Sequence, residues 1–501
     1  VSKVTVDPGR SLGRLDRNVF GGFVEHLGRC INGGLFQEGS PLSDGQGFRT
    51  DVLDLLRPLE LGVLRWPGGN FVSNYLWTDG IGPRASRPRR VELAWGGVEP
   101  NHFGTDEFLR YCAELGVTPY ICLNMGTGAL SEALAWVEYC NSAAKSYWAD
   151  RRRENGRAEP YGVTYWGLGN EMYGEWQVGQ LSADEYVKTA SRWAKAIRRL
   201  DPSIKLVSCG MNGWNDWDRV VIEGLSALVD LHSLHIYTGS GDYWNNVLSP
   251  HQSERAIRYT STCLSRTAYT QRLSHAPGIA YDEWNVWYRT DDGALEERYT
   301  FVDALAVPTY LNIFVRNCAW VKMANLAQMV NAIAPIVTTT QGAFVQPIYY
   351  PFQLHSESAL DEAVDARVES PTVESPAPQP GDRWRHRIAD LGPFTTIDAS
   401  ATADTSRSKL SATIVNRDPE STDAVELRLR DGTFAGPARV RTMTGADRAA
   451  NIFSPGTADI PGIEIEGVNL EDGAEQPRGD VLVVKAPPSS FTVIEVAIAA
   501  R

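Results

Sequence analysis

The chain predicts an α/β fold, a (β/α)8 TIM barrel joined to a C-terminal antiparallel β-sandwich of jelly-roll type. Three observations predict it. Short apolar, β-rich runs alternate with amphipathic helical stretches from about residue 17 to 350. After Pro351 the helical period gives way to strict period-2 alternation. The length, 501 residues, also exceeds what one hydrophobic core organises, so a large unit and a smaller one are expected.

Eight runs read as barrel strands: Val19–Val24, Val63–Trp66, Pro119–Leu123, Val163–Gly167, Leu206–Cys209, Leu231–Ile236, Gly278–Tyr281 and Cys318–Met323. Several are nearly all apolar, as strands buried on both faces must be. Helices fill the gaps. GTDEFLRYCAELG places Phe108, Leu109, Cys112 and Leu115 on one face, with Thr105 as N-cap and Gly116 as C-cap. SADEYVKTASRWAKAIRRLDP opens with Ser182 and its capping-box partner Glu185, and stops before Pro202. The barrel is assigned to residues 17–360.

Beyond it, VESPAPQPGDR (373–383) is proline-rich and reads as a loop. The runs LSATIVN, AVELRLR, ARVRTMT, DVLVVKA and FTVIEVAIAA alternate as half-buried strands, with Asp, Gly and Pro between them. The N-terminal KVTVD has the same character. Residues 1–16 therefore join 361–501 in the sandwich domain.

Bulk composition narrows the function. With 43% hydrophobic and 22% charged residues the chain is an ordinary globular protein. Its net charge of -13 argues against a nucleic-acid partner, which needs a basic footprint, and fits a neutral ligand. Seven scattered cysteines without a C-x-x-C pair form neither a disulfide framework nor a zinc cluster, which favours a reducing compartment. No apolar run reaches the roughly 18 residues of a membrane span, and the N-terminus lacks signal-peptide character. A cytoplasmic location is the expectation.

Barrel chemistry sits at the C-terminal ends of the strands. There, YWGLGNEMYGEW presents Asn170 and Glu171 after strand four, and GIAYDEWNVWYR presents Asp282 and Glu283 after strand seven. A single Glu at such a place is usually a cap partner or half of an ion pair. Two of them, set among tryptophans and tyrosines, match what acetal hydrolysis requires: one neutral carboxyl to donate a proton and one ionised carboxylate. The aromatic rings offer flat faces for sugar C–H groups.

The ordered motifs FVEHLGR (23–29), RWPGGNFVSNY (65–75), IGPRASRPRRVELAW (81–95), NHFGTDEF (101–108), GLGNEM (167–172), HIY (235–237), DEWNVWY (282–288) and MANLAQMVNAIAPI (323–336) resemble glycoside hydrolase family 51, the α-L-arabinofuranosidases of clan A. The resemblance spans nearly all of the barrel and implies the same barrel-plus-sandwich fold. It implies Glu171 as acid/base, Glu283 as nucleophile, Asn170 as the ligand of the sugar 2-hydroxyl, and Tyr237 as the group orienting the nucleophile. Glu25, Asn70, Gln328 and Trp287 match the shell that holds the furanose, and Trp95 matches the tryptophan of the pocket mouth. Two stretches depart from the family pattern: SNYLW (73–77) stands for SGYNW, and NEMYG (170–174) for NEMDG.

Each assignment has a structural alternative. Glu25 could pair with Arg29, Asn70 could cap the helix after Pro67-Gly-Gly, and Tyr237, Trp287, Gln328 and Trp95 could be packing residues of the rim. His235 reads equally as support for the pair or as packing. Two motifs are set aside. His232 and His235, three apart on a strand, point to opposite faces and do not make a metal site. PGGN lacks the spacing and lysine of a phosphate loop.

The resemblance implies an exo-acting retaining enzyme releasing terminal α-L-arabinofuranosyl residues from arabinoxylan, arabinan or arabino-oligosaccharides, without metal or organic cofactor. Its carboxylates should lie about 5–5.5 Å apart. The rival readings are a β-D-galactofuranosidase, an endo-β-glucanase, and a non-catalytic carbohydrate-binding protein. Family resemblance also implies a homo-hexamer.

Overall fold

The computed structural model describes residues 1–288, 295–377, 387–447, 449–450 and 467–499. Eight parallel strands close a barrel: Gly21–Phe23, Val63–Trp66, Thr118–Cys122, Tyr165–Leu168, Lys205–Ser208, Leu231–Thr238, Gly278–Val286 and Val321–Ala327. All eight expected strands are present; only Val63–Trp66 keeps both expected ends, and the shifts in the first, seventh and eighth have identifiable reasons.

The first is shorter because Arg17–Val19 forms a 3-10 turn, capped by the Asp16 side chain on the Asn18 amide. Only Gly21–Phe23 pairs, and a Cβ at Gly21 would stand 2.7 Å from the Ala324 carbonyl oxygen, so the missing side chain permits the approach. The eighth strand starts at Val321, not Cys318. Residues 317–320 turn the chain out of helix Phe301–Arg316, with the Trp320 and Val321 amides both 2.9 Å from the Asn317 carbonyl. The strand then runs to Ala327 and delivers Gln328 to the rim.

The seventh strand continues past Tyr281 to Val286. It pairs Ala280 with Ser233 and Glu283 with His235 on one side, and Tyr281 with Ala324 and Trp284 with Leu326 on the other. Between these pairs strand seven carries one residue more than either neighbour, and strand eight carries one more between the Ile279–Val321 and Ala280–Met323 pairs. Such a bulge re-aims side chains that would otherwise alternate between faces. Consecutive Asp282 and Glu283 both reach the same buried Arg65.

Helix Ala183–Leu200 has the expected Ser182–Glu185 capping box, the Glu185 carboxylate returning to the Ser182 amide at 2.9 Å. Helix Thr105–Leu115 ends at the αL residue Gly116 as expected, but Gly104 is its N-cap. Glu107 reaches back to the Gly104 amide at 3.0 Å, which frees the Thr105 hydroxyl to accept from Trp136 Nε1.

The second unit is a largely antiparallel sheet of ten strands with its own core of Val4, Val6, Ile397, Ile414, Val425 and Ile494. Strand Lys3–Arg14 pairs antiparallel with Glu362–Glu369 and parallel with Asp423–Leu429, the one departure from antiparallel order among the described residues of this sheet. Within the expected proline-rich loop, Val373 is paired to Phe394 in a short ladder, and residues 378–383 lie outside the described residues. A separate apolar cluster that includes Phe301, Leu305, Met443 and Phe491 joins the units, together with Arg316, which bonds Asp398 at 2.9 Å. All seven cysteines are free thiols and six are buried. Among the described residues no helix is long and apolar enough to cross a membrane.

Candidate active site

At the C-terminal rim, a cavity of about 360 Å³ is lined by Glu25, Gly69, Asn70, Trp95, Glu171, Trp176, Tyr237, Glu283, Trp287 and Gln328, with Leu27 and Ile333. Eight of the nine residues singled out from the sequence line it. The ninth, Asn170, lies against it: its Nδ2 is 3.4 Å from where a Cβ on Gly69 would be.

Glu283 is buried and held at both oxygens. Arg65 Nη1 donates to Oε1 and the Tyr237 hydroxyl to Oε2, each at 2.8 Å. Glu171 follows Gly169 and Asn170 at the end of strand four, in the left-handed region with φ 42°. Its Oε1 accepts from the Tyr173 hydroxyl at 3.2 Å and lies 3.0 Å from His235 Nδ1, and its Oε2 accepts from Trp176 Nε1 at 3.0 Å. One oxygen from each glutamate and a ring nitrogen of His235 all lie within 4.8 Å of one another.

His235 decides between the two readings left open for it. Nδ1 faces Glu171 and, at 3.4 Å, Glu283, while Nε2 is 3.2 Å from Asp282. Burial works against its charge, but the surrounding carboxylates of Glu283, Asp282 and Glu171 prevail and raise its pKa to about 10. Its partner in HSLH, His232, faces Ser208 and Asp218 instead, so the two do not converge. Glu171, His235 and Glu283 are close enough to surround a metal ion, yet the donor chemistry fits poorly: an imidazole that keeps its proton is not a ligand.

Burial raises the Glu283 carboxyl, with Glu171 adding to the effect and His235 and Arg65 opposing it. Glu171 is lowered, since burial is outweighed by His235, Trp176 and Tyr173. Asp282 is held far below the usual carboxylate range: burial is overcome by Arg65, His235 and Ser233. These groups titrate as one unit.

The far wall is built around Glu25, which is buried. Its Oε1 accepts from the Phe71 amide and from Trp95 Nε1, both at 3.0 Å, and its Oε2 accepts from Gln328 Nε2 at 3.1 Å. Arg29 is not its partner but pairs with Glu296 at 2.7 Å. Burial pushes the Glu25 pKa up to about 7, helped by Glu283 and opposed by the Phe71 amide and Trp95. Asn70 opens the 3-10 turn Asn70–Asn74, whose N-cap is Gly69 without a side-chain cap bond. The Trp287 ring meets Tyr237 edge-to-face at 5.2 Å. Trp95 is carried by the hairpin of Arg90–Val91 and Val98–Glu99, which turns through Gly96 and Gly97 at φ 83° and 91°.

Asn170 accepts from Arg65 Nη2 through Oδ1, while its buried Nδ2 has no hydrogen-bond partner among the described residues. A buried donor left open beside a cavity is poised for a ligand acceptor.

Four contributors, Arg65, Tyr173, Trp176 and Asp282, have no role assigned from sequence. Arg65 was legible in principle, as a charge in the otherwise apolar strand VLRW must have buried partners. Asp282, Tyr173 and Trp176 carry no such signal, because their importance depends on neighbours from other strands or on a loop folding back.

Comparison with known proteins extends the picture. The model named Alpha-L-arabinofuranosidase 1 domain matches residues 55–255, and the Alpha-L-arabinofuranosidase C-terminal domain matches 282–473. Alpha-L-arabinofuranosidase C of Emericella nidulans is 42% identical over 464 residues, 89% of this chain and 90% of that protein. The intracellular exo-alpha-(1->5)-L-arabinofuranosidase 1 of Bacillus subtilis is 38% identical over 398 residues, 74% of this chain and 79% of that protein. The thermostable GH51 alpha-L-arabinofuranosidase of Thermotoga petrophila superposes with a TM-score of 0.89 at 38% identity, covering 99% of this chain and 100% of that one.

Proposed function

The chain belongs to glycoside hydrolase family 51, the α-L-arabinofuranosidases, and on that premise we propose a retaining, exo-acting enzyme that removes terminal α-L-arabinofuranosyl residues from arabinose-containing glycans. The observation that carries the mechanism is the close carboxylate pair. One oxygen of Glu171 lies within 4.8 Å of one of Glu283, which supports the roughly 5–5.5 Å spacing of a retaining pair over the roughly 6.5–9.5 Å of an inverting one.

Glu283 acts as nucleophile. Arg65 cannot surrender its proton, and with Tyr237 it holds the carboxylate as an anion aimed across the cavity. Glu171 acts as acid. His235 Nδ1 lies 3.0 Å from Glu171, so it can pass a proton to Glu171 and take one back after Glu171 has deprotonated water. The Glu283 oxygen bonds to the anomeric carbon as the glycosidic C–O bond breaks, and the departing oxygen takes the Glu171 proton. In the second half Glu171 removes a proton from water, whose oxygen bonds to the anomeric carbon. The ester bond to Glu283 breaks and its electron pair returns to the carboxylate.

Glu25, Asn70, Gln328 and the open Nδ2 of Asn170 present donors and acceptors to the furanose hydroxyls, with Asn170 serving the 2-hydroxyl. Trp95 and Trp287 give it apolar walls. The Trp95–Glu25 bond closes the glycone end, which favours release of one terminal sugar over cleavage within a chain. Arabinoxylan, arabinan and arabino-oligosaccharides fit this reading as substrates. Seven unpaired thiols and the intracellular Bacillus subtilis relative favour the cytoplasm. A hexamer follows from family resemblance, and sedimentation would count its subunits.

Proton NMR of 4-nitrophenyl α-L-arabinofuranoside hydrolysis tests the reading. The first-formed arabinose should keep the substrate's anomeric configuration. Initial formation of the opposite anomer, or turnover of aryl glucosides in preference to aryl furanosides, would refute it.

A further inference from the structure

The loop after strand four folds back on itself. The Gly174 amide bonds the Glu171 carbonyl at 2.8 Å, the Leu181 amide bonds the Met172 carbonyl at 2.8 Å, and Gln180 Nε2 bonds the Tyr173 carbonyl at 3.0 Å. This closure brings two ring donors onto one carboxylate. The Tyr173 hydroxyl meets Glu171 Oε1 at 3.2 Å, and Trp176 Nε1 meets Oε2 at 3.0 Å. The rings brace each other edge-to-face at 6.0 Å, and Tyr173 leans on Trp217 at 5.5 Å. Gly174 makes the fold-back possible, since a Cβ there would stand 2.5 Å from the Trp176 ring. Trp176 is 57% exposed, an unusual place for a tryptophan whose indole N–H is spent on a carboxylate.

We propose that Tyr173 and Trp176 are positioning residues that hold Glu171 in its ionised, base-competent form. This rests on reading Glu171 as the acid/base. Both groups donate, and a hydroxyl or indole donor favours the charged carboxylate over the protonated acid. They occupy different oxygens and so also fix the plane of the group. The form they stabilise is the one the second half-reaction needs, when Glu171 takes a proton from the attacking water and the Glu283 ester breaks. Other groups also face Glu171: His235 and Tyr237 from strand six, Glu283 from strand seven, and Cys209 from the end of strand five. Of these, His235 and Glu283 belong to the chemistry itself. Tyr173 and Trp176 come from the same loop as Glu171 and tune it locally.

The test is the pH profile of kcat/KM for an aryl arabinofuranoside with a poor leaving group. Tyr173→Phe keeps the ring and removes one donor to the anion, so the Glu171 proton is held to higher pH. The basic limb should move up by about one unit, the worth of a hydrogen bond to a charged group. Trp176→Phe should move it in the same direction and serves if the first variant does not fold. A role confined to packing would lower kcat without moving the limb, and that result overturns the proposal. Glu171→Gln separates the two levels of inference. A basic limb that survives in that variant refutes Glu171 as the acid. A limb lost there but unmoved in both ring variants refutes only the role of Tyr173 and Trp176.

Discussion

Arg65 Nη1 stands 2.8 Å from Glu283 Oε1, and the same guanidinium lies 3.7 Å from Asp282, all three groups being buried. One cation on strand two thereby compensates two carboxylates that the bulge in strand seven turns into the barrel. Arg65→Met leaves both anions without a permanent counter-charge. Breaking a buried pair from one side costs about 3–5 kcal/mol. Urea denaturation should show a loss of that order, and kcat/KM should fall by about a hundredfold or more. A variant as stable and active as the parent would show that the pair matters little to either.

The glutamates should differ in how they fail. Glu283→Ala should abolish turnover, and azide should restore it by forming a glycosyl azide of inverted configuration, because the anion enters the vacated nucleophile site. Glu171→Ala should spare substrates whose leaving group needs no proton, such as 2,4-dinitrophenyl arabinofuranoside. Mass spectrometry and NMR of the azide product decide the assignment, and exchanged phenotypes would reverse it.

Glu25 links the pocket to pH-dependent stability. Its pKa is raised from 4.5 to about 7 by burial first and Glu283 second. Between these values the folded chain holds a proton that the unfolded chain has released, so this group makes stability fall as pH rises through the window. Two and a half units correspond to about 3 kcal/mol. Glu25→Gln should flatten that part of the curve when urea midpoints are compared from pH 4.5 to 7.5, while raising KM. A slope unchanged by the substitution would place its origin elsewhere.

The joint between barrel and sandwich is testable away from the pocket. Arg316 bonds Asp398 at 2.9 Å and Glu254 at 3.0 Å, and Asn312 Nδ2 gives Asp398 a further bond at 2.8 Å. Arg316→Met should lower stability by about 3 kcal/mol, leaving Asp398 half-compensated. KM should stay at the parental value. Differential scanning calorimetry would show the loss, and steady-state kinetics the unchanged site.

Local pattern was enough to reveal much of the molecule. Apolar runs at strand length, the Ser182–Glu185 box, Gly116 and the alternation after Pro351 each express a preference contained within a few residues, so they survive folding with ends moved by only a few positions. Cys318 has apolar neighbours with the look of a strand. The Asn317 carbonyl turns the chain there instead, an outcome decided by where helix Phe301–Arg316 must stop.

For the site, the order of motifs along the chain is enough to mark which residues gather at the rim, since strand ends in a closed barrel converge. Glu25, Asn70, Trp95, Asn170, Glu171, Tyr237, Glu283, Trp287 and Gln328 all line or abut one cavity. What each residue touches depends on contacts between strands and loops far apart in the chain. Folding pairs Glu25 with Trp95 and Gln328 in place of Arg29, and sets His235 among three carboxylates rather than in packing. It also used one extra residue in strand seven to bring Asp282 and Glu283 to Arg65 together. A period of two places neighbouring side chains on opposite faces, and register against adjacent strands is what breaks that rule here. That register is a relation among three strands, distant in sequence, and no single stretch of residues contains it.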